Sequence, residues 1–495
     1  MDEVLLGIDI GTSSTKAALT RPDGTVVATA ERPHATSMPR PGWVEHDAEG
    51  VWWGDVMALL AGFDKRQLAA VKGVCVSGIG PCLLPVGANG EPLRPAILYG
   101  VDTRATAEAE ELTGRYGAEV VLAVGGSPLT SQALGPKLLW LRRNEPGVWR
   151  SSRRFLMASS FVVFRLTGEY VLDHHSASQC NPLYDLGSYR WRTDWADDVA
   201  PGIELPRLAW PAELAGTVSR EAAFQTGLPV GTPIATGTID SWAEAFGAGV
   251  MAAGDTMLSY GTTMFIVNLA PDAVPDPHLW LTAGVVPGTR TVAAGMATSG
   301  ALTSWLRTVV GDPPYVQLLN EAEQVPAGAE GLVVLPYFAG ERTPLFDPDA
   351  RGGIFGLTLR HRRGHLYRAV LEATAFGVRH NLEAIERAGG VPERLVAIGG
   401  GTRGRLVVQL VSDVTGRDQD LRTPVIGACY GDAHLSGTAA GLVRLDASWG
   451  KVSETVRPSA GARELYERLY SVYRELYPAT MELAHELAGL QLGTS

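Results

Sequence analysis

The sequence predicts an α/β protein built from two lobes of similar length. The chain has 495 residues, 45% of them hydrophobic, so it can bury more than one core. Its opening reads as strands joined by turns, and a comparable pattern recurs near residue 256. Strands then alternate with stretches at helical spacing, which favours an α/β fold. The length would also suit about three average domains.

The first predicted element is a three-stranded meander. Short apolar runs cover Val4 to Ile10, Lys16 to Thr20 and Thr25 to Ala28. Gly-Thr-Ser-Ser separates the first two runs and Pro-Asp-Gly the last two, which is typical of hairpin turns. In the middle of the chain, Thr256 to Leu269 repeats a strand, a glycine and threonine turn, and a strand. The repetition indicates an internal duplication.

Three helices are predicted from the spacing of apolar residues. Asp240 stands where a short strand gives way to the first, which carries Trp242, Ala243 and Phe246. A strand from Leu395 to Ile398 leads through three glycines into the second, whose apolar positions are Leu406, Leu410 and Val414. The third covers Glu464 to Leu476, with a packing face predicted at Leu465, Leu469, Val472 and Leu476.

A division near Phe246 gives each lobe its own opening hairpin. We therefore predict domains at residues 1–246 and 247–495, with a cleft between the lobes. No disordered linker is evident in the composition between them.

Charge and cysteine content exclude several classes of protein. The 42 Lys and Arg against 53 Asp and Glu give a net charge of -11, which disfavours nonspecific nucleic-acid binding. The four cysteines are scattered without zinc-site spacing. The N-terminus lacks signal-peptide features, and no apolar stretch has the composition of a membrane span. We expect a cytoplasmic protein with neither a nucleic-acid nor a membrane partner.

The turn after the first strand has the chemistry of a phosphate site. Gly11 lets the backbone approach an anion, and the amides and hydroxyls of Thr12 and Ser13 can donate to phosphate oxygens. Lys16 adds a positive charge. Asp9 would repel a bare phosphate, so its presence indicates a Mg²⁺ ion between them. The alternative is an ordinary hairpin turn rich in glycine and serine.

Two further turns favour nucleotide binding. Gly261, Thr262 and Thr263 repeat the chemistry of the first turn in the second lobe. Gly400 and Gly401, at a strand-to-helix junction, permit close approach of a base or ribose, although a plain tight turn is the alternative. Together the three turns predict a nucleotide cleft, and they do not match a P-loop.

Asp240 is the candidate general base. At the end of a strand it could accept a hydroxyl proton during phosphoryl transfer, and a helix N-cap is the alternative. His174 and His175 lack partners at metal-ligand spacing and are predicted to lie in a loop. Trp52 and Trp53 on a predicted helix are assigned to packing.

With these residues in place, the chain resembles the FGGY family of carbohydrate kinases, which shares the nucleotide fold of actin, hexokinase and Hsp70. Ordered blocks carry the resemblance along nearly the whole chain, and Gly352 to Glu372 is similar to a family signature. The blocks are DIGTSSTK, PGWVEHD, PKLLWLRRNEP, GTIDSWAEAFGAG, SYGTT, GERTPLFDPDARGGIFGLTL and GGGTRG.

The resemblance implies two ribonuclease H-like lobes and transfer of a phosphoryl group from Mg²⁺-ATP to a sugar or polyol hydroxyl. Asp240 matches the family's catalytic base, and Asp9 its aspartate near Mg²⁺. Thr12 and Thr262 fall in the two phosphate turns, and the glycine pair of the third turn falls in the adenosine turn. The N-terminal lobe would bind the sugar, and the C-terminal lobe would bind adenosine.

Within the family, PGWVEHD, PKLLWL and LRPAILYGVDTRA are most similar to the xylulokinases. There, SGQMHG lines the sugar pocket with Met and His, whereas Gly80 and Pro81 occupy those positions in this chain. Asp102 and Arg104 keep the pattern of a second sugar loop, with a surface-loop aspartate as the alternative for Asp102.

The resemblance therefore implies a small-sugar substrate, a ketopentose such as D-xylulose, bound by Gly80, Pro81, Asp102 and Asp240. Loss of the Met and His side chains can shift specificity, so ribulose, erythritol and glycerol are alternatives. A nucleotide-dependent sensor without a sugar acceptor is the alternative from another class. Since such kinases commonly form dimers, a homodimer is also implied.

Overall fold

The computed structural model describes residues 3–424 and 426–492 in two units. Unit 1 comprises Met1–Met251, Val274–Thr291 and Ile426–Gly450, and unit 2 comprises Ala252–Ala273, Val292–Val425 and Lys451–Ser495. The first change of unit follows Met251, close to the boundary predicted at residue 246. The return of two later segments to unit 1 was not expected from the sequence.

The strands up to Asp240 are β1 (Val4–Ile10), β2 (Ser14–Thr20), β3 (Val26–Pro33), β4 (Glu45–His46), β5 (Val71–Gly78), β6 (Leu84–Val86), β7 (Ala96–Ile97), β8 (Arg154–Leu156), β9 (Val171–Asp173), β10 (Tyr184–Asp185), β11 (Arg190–Trp191), β12 (Arg207–Ala209), β13 (Leu214–Thr217), β14 (Pro233–Ala235) and β15 (Thr238–Ile239). The later strands are β16 (Asp255–Tyr260), β17 (Met264–Leu269), β18 (Trp280–Ala283), β19 (Arg290–Met296), β20 (Val333–Leu335), β21 (Gly353–Phe355), β22 (Arg394–Ile398), β23 (Gln419–Thr423) and β24 (Lys451–Val456).

The helices are α1 (Gly54–Gly62), α2 (Lys65–Ala69), α3 (Thr106–Tyr116), α4 (Ala118–Gly125), α5 (Leu134–Asn144), α6 (Pro146–Ser151), α7 (Ala158–Thr167), α8 (His174–Ser178), α9 (Thr193–Val199), α10 (Arg220–Thr226), α11 (Asp240–Gly247), α12 (Gly300–Val309), α13 (Tyr315–Glu323), α14 (Arg363–Arg387), α15 (Arg405–Thr415), α16 (Ala428–Ala439) and α17 (Arg463–Leu492). A π-helical turn covers Ala48–Trp53, and 3₁₀ turns cover Ala329–Gly331 and Gly400–Arg403.

The main sheet of unit 1 runs in the order β13-β14-β5-β1-β2-β3, with β15 also paired to β5. β1, β2 and β3 form the predicted antiparallel meander. β1 and β14 both lie parallel to β5, whereas β13 is antiparallel to β14. Every residue of β1 is buried, as expected for a strand at the centre of a covered sheet.

Unit 2 repeats this pattern of strand directions. β17 and β16 are antiparallel, β16 and β22 are parallel, β22 and β23 are parallel, and β23 and β24 are antiparallel. The same sequence of directions relates β2, β1, β5, β14 and β13 in unit 1. The predicted internal duplication is therefore confirmed at the level of sheet topology.

Helix α16 covers one face of the unit 1 sheet and comes from late in the chain. A Cβ atom on Gly7 of β1 would collide with the backbone carbonyl of Cys429, and one on Gly73 of β5 would lie 2.6 Å from the carbonyl of Ser436. Both glycines are therefore needed for the close approach of helix to sheet. The Ser77 hydroxyl donates to Asp432 of α16 at 2.6 Å, which fixes the helix along β5.

Helix α17 extends the predicted Glu464–Leu476 helix, but its packing face differs from the prediction. Leu465 and Val472 are 37% and 45% exposed. The buried positions are instead Tyr466, Tyr470, Tyr473 and Tyr477. Tyrosine rings bury large apolar surfaces while keeping their hydroxyls bonded, so they compete with leucine for the core face. The predicted apolar face is therefore only partly confirmed, since Leu469 and Leu476 are half-buried while Leu465 and Val472 are exposed.

Two smaller predictions have mixed outcomes. Trp52 and Trp53 are buried, in agreement with a packing role, and lie on the π-helical turn before α1. His174 and His175 begin α8 and do not lie in a loop. The His175 ring lies against Trp242, tilted by 31°, with centroids 3.8 Å apart.

In the described ranges, no helix is long and apolar enough to span a membrane. The cytoplasmic location stays a prediction.

Candidate active site

Three predicted site segments meet at one edge of the unit 1 sheet. β1 and β15 are both parallel to β5, so the carboxyl ends of all three point the same way. Gly11 to Ser13 follows β1, Ile79 to Cys82 follows β5, and Asp240 follows β15. Ligands of α/β proteins commonly bind where parallel strands end. This edge of unit 1 is therefore the candidate site for the acceptor and the transferred phosphate.

The Gly11–Ser13 turn presents donors to solvent. The amide of Gly11 closes the turn on the carbonyl of Ser14 at 2.9 Å, and a Cβ on Gly11 would lie 2.8 Å from that same oxygen. The amides of Thr12 and Ser13 have no acceptor in the described part of the chain. Two amides and the Ser13 hydroxyl are thus available to an anion, as in other phosphate-binding turns. The Thr12 hydroxyl is instead hydrogen-bonded to the hydroxyl of Tyr99 at 2.9 Å.

Asp9, at the end of β1, is 8% exposed, and its Oδ1 atom has no hydrogen-bond partner among the described residues. Burial raises the pKa of this carboxyl well above its ordinary value, and the nearby carboxylates of Asp240 and Glu244 raise the pKa further. Lys16, directly opposite on β2, has the reverse effect. Because a buried carboxylate without a partner is costly, Asp9 is suited to a cation.

Asp240 is the first residue of α11, and Ile239 occupies the N-cap position. Its Oδ1 atom accepts from the amide and hydroxyl of Ser241, at 2.6 and 3.1 Å. Its Oδ2 atom has no partner in residues 3–424 and 426–492. Burial raises the pKa of this carboxyl above its ordinary value, although the Ser241 bonds oppose the rise. One oxygen is thus fixed and the other is open.

Glu244 is a site residue that sequence reasoning missed. It lies one turn after Asp240 on α11, and burial followed by the charge of Asp240 raises the pKa of its carboxyl to about 7, against the effect of Lys16. The available signal was the spacing of two acidic residues at i and i+4, which places them on one helix face.

Lys16 does not point freely at the turn. Its ammonium lies 3.9 Å from Glu31, and the side chain is 41% exposed. Its positive charge lowers the pKa of the Asp9 and Glu244 carboxyls, against the larger effect of burial. Its predicted contact with phosphate stays a prediction.

Gly80 and Pro81 lie close to Asp240 in space. A Cβ on Gly80 would lie 2.7 Å from both Cγ1 and Cδ1 of Ile239, the residue before Asp240. Pro81 is buried, and Cys82 beside it has its thiol pKa raised to about 12 by burial. The segment therefore forms a tight, apolar wall next to the candidate base.

Asp102 has both carboxylate oxygens engaged. Oδ2 accepts from the amide of Val44 at 2.7 Å, and Arg104 donates to both oxygens at 2.6 to 3.1 Å. The side chains of Asp102 and Arg104 are both 0% exposed. The surface-loop alternative is wrong, because this carboxylate is buried and paired. The pairing favours a role in shaping the loop, and direct sugar binding by Asp102 stays a prediction.

In unit 2, the Gly261–Thr263 turn meets the start of α12. The amides of Ser299 and Ala301 donate to the carbonyl of Thr262, and the amide of Gly300 donates to the carbonyl of Gly261, at 2.9 to 3.1 Å. A Cβ on Gly300 would lie 2.7 Å from the Gly261 oxygen. These bonds hold the turn carbonyls on the helix side.

A cavity of about 440 Å³ in unit 2 brings together three predicted nucleotide residues, Gly261, Gly400 and Gly401. Its volume lies in the range of roughly 300–1,000 Å³ common for small-molecule sites. A Cβ on Gly400 would meet nothing within 4 Å, whereas one on Gly401 would lie 2.9 Å from Tyr260. The remaining lining residues are Tyr260, Ser299, Gly300, Thr303, Tyr315, Leu319, Tyr367, Leu371, Thr374, Arg403, Gly404 and Val407. The aromatic and apolar lining suits a flat base.

The donor set at Asp9 fits Mg²⁺. No group of three or more His, Cys, Asp or Glu side chains able to hold a metal occurs among the described residues. Mg²⁺ in phosphoryl-transfer sites is commonly held by one or two carboxylates together with substrate phosphates and water. A single buried, unpartnered carboxylate beside a phosphate-type turn meets that requirement.

Comparisons with known proteins agree with these features. The xylulose kinase of Escherichia coli (strain K12) is 29% identical over 494 residues, covering 97% of this chain and 99% of that protein. Glycerol kinase 2 of Streptomyces avermitilis is 31% identical over 498 residues, covering 94% of this chain and 95% of that protein. The crystal structure of xylulose kinase from Rhodospirillum rubrum has a TM-score of 0.89 at 34% identity, covering 98% of this chain and 100% of that chain.

Residues 4–247 match the N-terminal domain of the FGGY family of carbohydrate kinases, and residues 256–440 match its C-terminal domain. The predicted two-domain α/β fold is confirmed by the family match and by the structural likeness. The chain belongs to the FGGY family of carbohydrate kinases and is a sugar kinase.

Proposed function

We propose that this kinase transfers the γ-phosphoryl group of Mg²⁺-ATP to a hydroxyl of a ketopentose such as D-xylulose, with Asp240 as the general base. The observation that carries the proposal is the state of the Asp240 carboxylate. Its Oδ1 is held by Ser241, its Oδ2 has no partner among the described residues, and its pKa is raised by burial. A base with a raised pKa, held in one orientation, is suited to accept a hydroxyl proton.

In this proposal the acceptor hydroxyl lies against Asp240 Oδ2, which takes its proton as the oxygen attacks the γ-phosphorus. The free amides of Thr12 and Ser13 and the Ser13 hydroxyl donate to the phosphate oxygens. Such donors stabilise the charge of the transferring group, which is the main catalytic requirement of phosphoryl transfer. Asp9 would hold Mg²⁺, which when bound neutralises phosphate charge.

The unit 2 cavity is proposed to receive the nucleoside. Its wall of Tyr315, Tyr367 and Leu371 offers apolar surface for the base, and Gly400 leaves open space for close approach. Gly261 places the second phosphate turn at the rim of the same cavity. This agrees with the use of ATP as the phosphate donor by carbohydrate kinases.

Full-length similarity to xylulose kinases supports the ketopentose proposal. Similarity to glycerol kinases and the Gly80-Pro81 wall keep a polyol acceptor as the second candidate. The small Gly80-Pro81 wall changes which hydroxyls of a buried substrate find hydrogen-bond partners. A substrate whose buried hydroxyl is left unpaired is turned over much more slowly.

A homodimer is also proposed. The exposed side of α17 carries apolar residues toward its end, with Leu483, Leu487 and Leu490 at 63%, 53% and 59% exposure. An apolar stripe of this kind is typical of an interaction surface.

The proposal is tested by ATP consumption with Mg²⁺ over a panel of D-xylulose, D-ribulose, erythritol, glycerol and D-gluconate. We expect selective turnover of D-xylulose. Selective turnover of another member would replace the acceptor and keep the kinase chemistry. Failure to consume ATP with any member of the panel, while ADP still binds, would favour the nucleotide-dependent sensor without a sugar acceptor.

The base is tested with Asp240→Asn, and the same exchange at the exposed Asp194 serves as the matched control. We expect Asp240→Asn to lower kcat by at least about 10²-fold, within the usual contribution of proton transfer. The Kd for ADP, measured by calorimetry, should stay within about twofold. Near-normal turnover of Asp240→Asn would contradict the assignment.

A further inference from the structure

The carbonyl groups of the first phosphate turn accept hydrogen bonds from residues that follow β3 in the chain. Nε2 of His34 lies 3.2 Å from the carbonyl oxygen of Gly11, and Nδ1 of the same ring lies 2.8 Å from Oδ2 of Asp55. The backbone amide of His34 also donates to the carbonyl of Ser13 at 2.9 Å. Both partners are acceptors, so the ring bridges the turn and helix α1 by donating from both nitrogens, as a doubly protonated imidazolium beside the Asp55 carboxylate.

Asp55 anchors the far side of this bridge. It lies in the first turn of α1, is 3% exposed, and accepts from the hydroxyl of Thr15 at 3.0 Å and from Nε of Arg32 at 2.7 Å. Because the carboxylate is bound from several directions, it fixes the plane and position of the imidazole.

The carbonyl of Thr12 is held separately. The hydroxyl of Thr36 donates to it at 2.9 Å, and Nε2 of His46 lies 3.1 Å from that hydroxyl. Nδ1 of His46 accepts from the indole N–H of Trp52 at 3.1 Å, so His46 donates through Nε2. All three carbonyls from Gly11 to Ser13 are therefore bound by donors within unit 1.

The backbone amides of the turn are left for an anion. The amides of Thr12 and Ser13 have no acceptor in the described ranges. A peptide plane that rotates to expose its carbonyl would present negative partial charge to phosphate. Because the N–H of a trans peptide points away from its C=O, holding each carbonyl fixes the following amide toward the phosphate before the ligand binds. Such preorganised donors need no rearrangement on binding.

We propose that His34 is a positioning residue for nucleotide binding, which holds the Gly11 carbonyl away from the phosphate and so keeps the Thr12 and Ser13 amides directed toward it. This inference rests on the proposed function, since it takes the turn to be a phosphate site. His34 itself touches neither substrate nor reacting atoms in this proposal.

Two substitutions separate the hydrogen bond from the bulk of the ring. His34→Gln keeps an N–H donor at the Nε2 position, facing Gly11. His34→Asn keeps one only at the Nδ1 position, facing Asp55. We expect His34→Asn to raise the KM for ATP and the Kd for a non-hydrolysable ATP analogue about 3- to 10-fold, the range for one lost hydrogen bond. The Kd for ADP, which lacks the transferred phosphate, should stay near wild type. We expect kcat to fall by a similar factor because the same amides stabilise the transferring group, the sugar KM to stay near wild type, and His34→Gln to restore both ATP affinity and kcat.

An unchanged ATP KM in His34→Asn, or equal losses in the Asn and Gln variants, would overturn the inference. If His34→Asn does not fold, Thr36→Val is measured in its place, because it frees the Thr12 carbonyl without touching Asp55. An unchanged Kd for the non-hydrolysable ATP analogue in that variant would show that holding a turn carbonyl back does not affect phosphate binding, and would overturn the inference too. Calorimetry with this analogue tests the inference independently of turnover, whereas failure of the proposed function shows as a wild type inactive with every sugar.

Discussion

Gly80 shows how a single missing side chain positions the candidate base. A Cβ at this position would lie 2.7 Å from two atoms of Ile239, closer than nonbonded carbon atoms normally approach. Ile239 is bonded to Asp240, so any displacement of its backbone moves the carboxylate as well.

We therefore predict that Gly80→Ala lowers kcat by about 10²-fold, the cost of a misplacement on the order of 1 Å. The nucleotide Kd should not change, because the phosphate turn lies on another strand. Steady-state kinetics with the preferred sugar measures the first quantity, and calorimetry with ADP the second.

The matched variant is Gly80→Ala combined with Ile239→Ala, which removes both atoms that the new Cβ would meet. Recovery of kcat in the double variant relative to Gly80→Ala identifies the contact as the cause. A double variant that is slower still would contradict it.

Glu341 carries a pH-dependent contribution to stability. It is 6% exposed, its Oε1 accepts from the amides of Ala297 and Arg342 at 2.8 and 2.7 Å, and burial raises the pKa of its carboxyl to about 8. The folded protein holds this proton more tightly than the unfolded chain. The resulting stabilisation is complete below the unfolded pKa of about 4.3 and is lost as the pH rises through about 8.

Glu341→Gln keeps an acceptor oxygen and cannot ionise. We predict that it melts at least about 3 °C above wild type at pH 9, and that the difference shrinks toward pH 5. Thermal unfolding followed by circular dichroism at both pH values measures this. Glu321→Gln, at the half-exposed ion pair with Arg363, is the control. An equal difference at pH 5 and pH 9 would exclude Glu341 as the source.

At this scale the sequence predicts residue types better than residue partners. Asp9, Asp240 and the turn glycines could be found because strand ends and glycine turns are local features. The pairing of Asp102 with Arg104 and Val44 could not, because Val44 is distant in sequence. His34 escaped notice for the same reason, since Asp55 meets it only after folding.

Helix α17 has two faces with different uses. Four tyrosines form its buried face in unit 2, with Tyr466 and Tyr473 each 1% exposed. Of the residues that the spacing pattern assigned to the core, Leu465 and Val472 are exposed, whereas Leu469 and Leu476 are half-buried at the edge of the tyrosine face. Periodicity located the helix, but it could not decide between two stripes that both bury apolar surface well.

If the exposed stripe of α17 holds two copies together, charge placed there must separate them. We predict that Leu483→Glu with Leu487→Glu converts a dimer to a monomer, as measured by light scattering after gel filtration. Glu482→Ala with Glu486→Ala on the same helix is the matched control and should leave the mass unchanged. A wild type that is monomeric at every concentration would remove the homodimer proposal.

At the scale of the whole molecule, both sheets could be anticipated and the path of the chain could not. The two hairpins with glycine turns predict the duplication, and both hairpins are antiparallel strand pairs in the structure. The return of α16 to unit 1 has no comparable signal. Its buried residues include Asp432, His434 and Ser436, so no apolar stripe reveals which sheet it covers.

Unit 1 should therefore be incomplete without its late segment. We predict that a fragment of residues 1–251 exposes the apolar sheet face that α16 covers, binds a hydrophobic dye and is degraded rapidly by protease. Joining residues 426–450 to this fragment through a flexible linker should restore protease resistance. Equal resistance of the two fragments would show that the sheet needs no cover.

The same connectivity has a consequence for the order of events at the ribosome. Gly7 and Gly73 are synthesised well before the helix that packs on them, which spans Ala428–Ala439. At about 5–20 residues per second, β1 and β5 wait tens of seconds for this cover. We therefore expect chaperones that bind exposed apolar surface on nascent chains to act on these two strands during that interval.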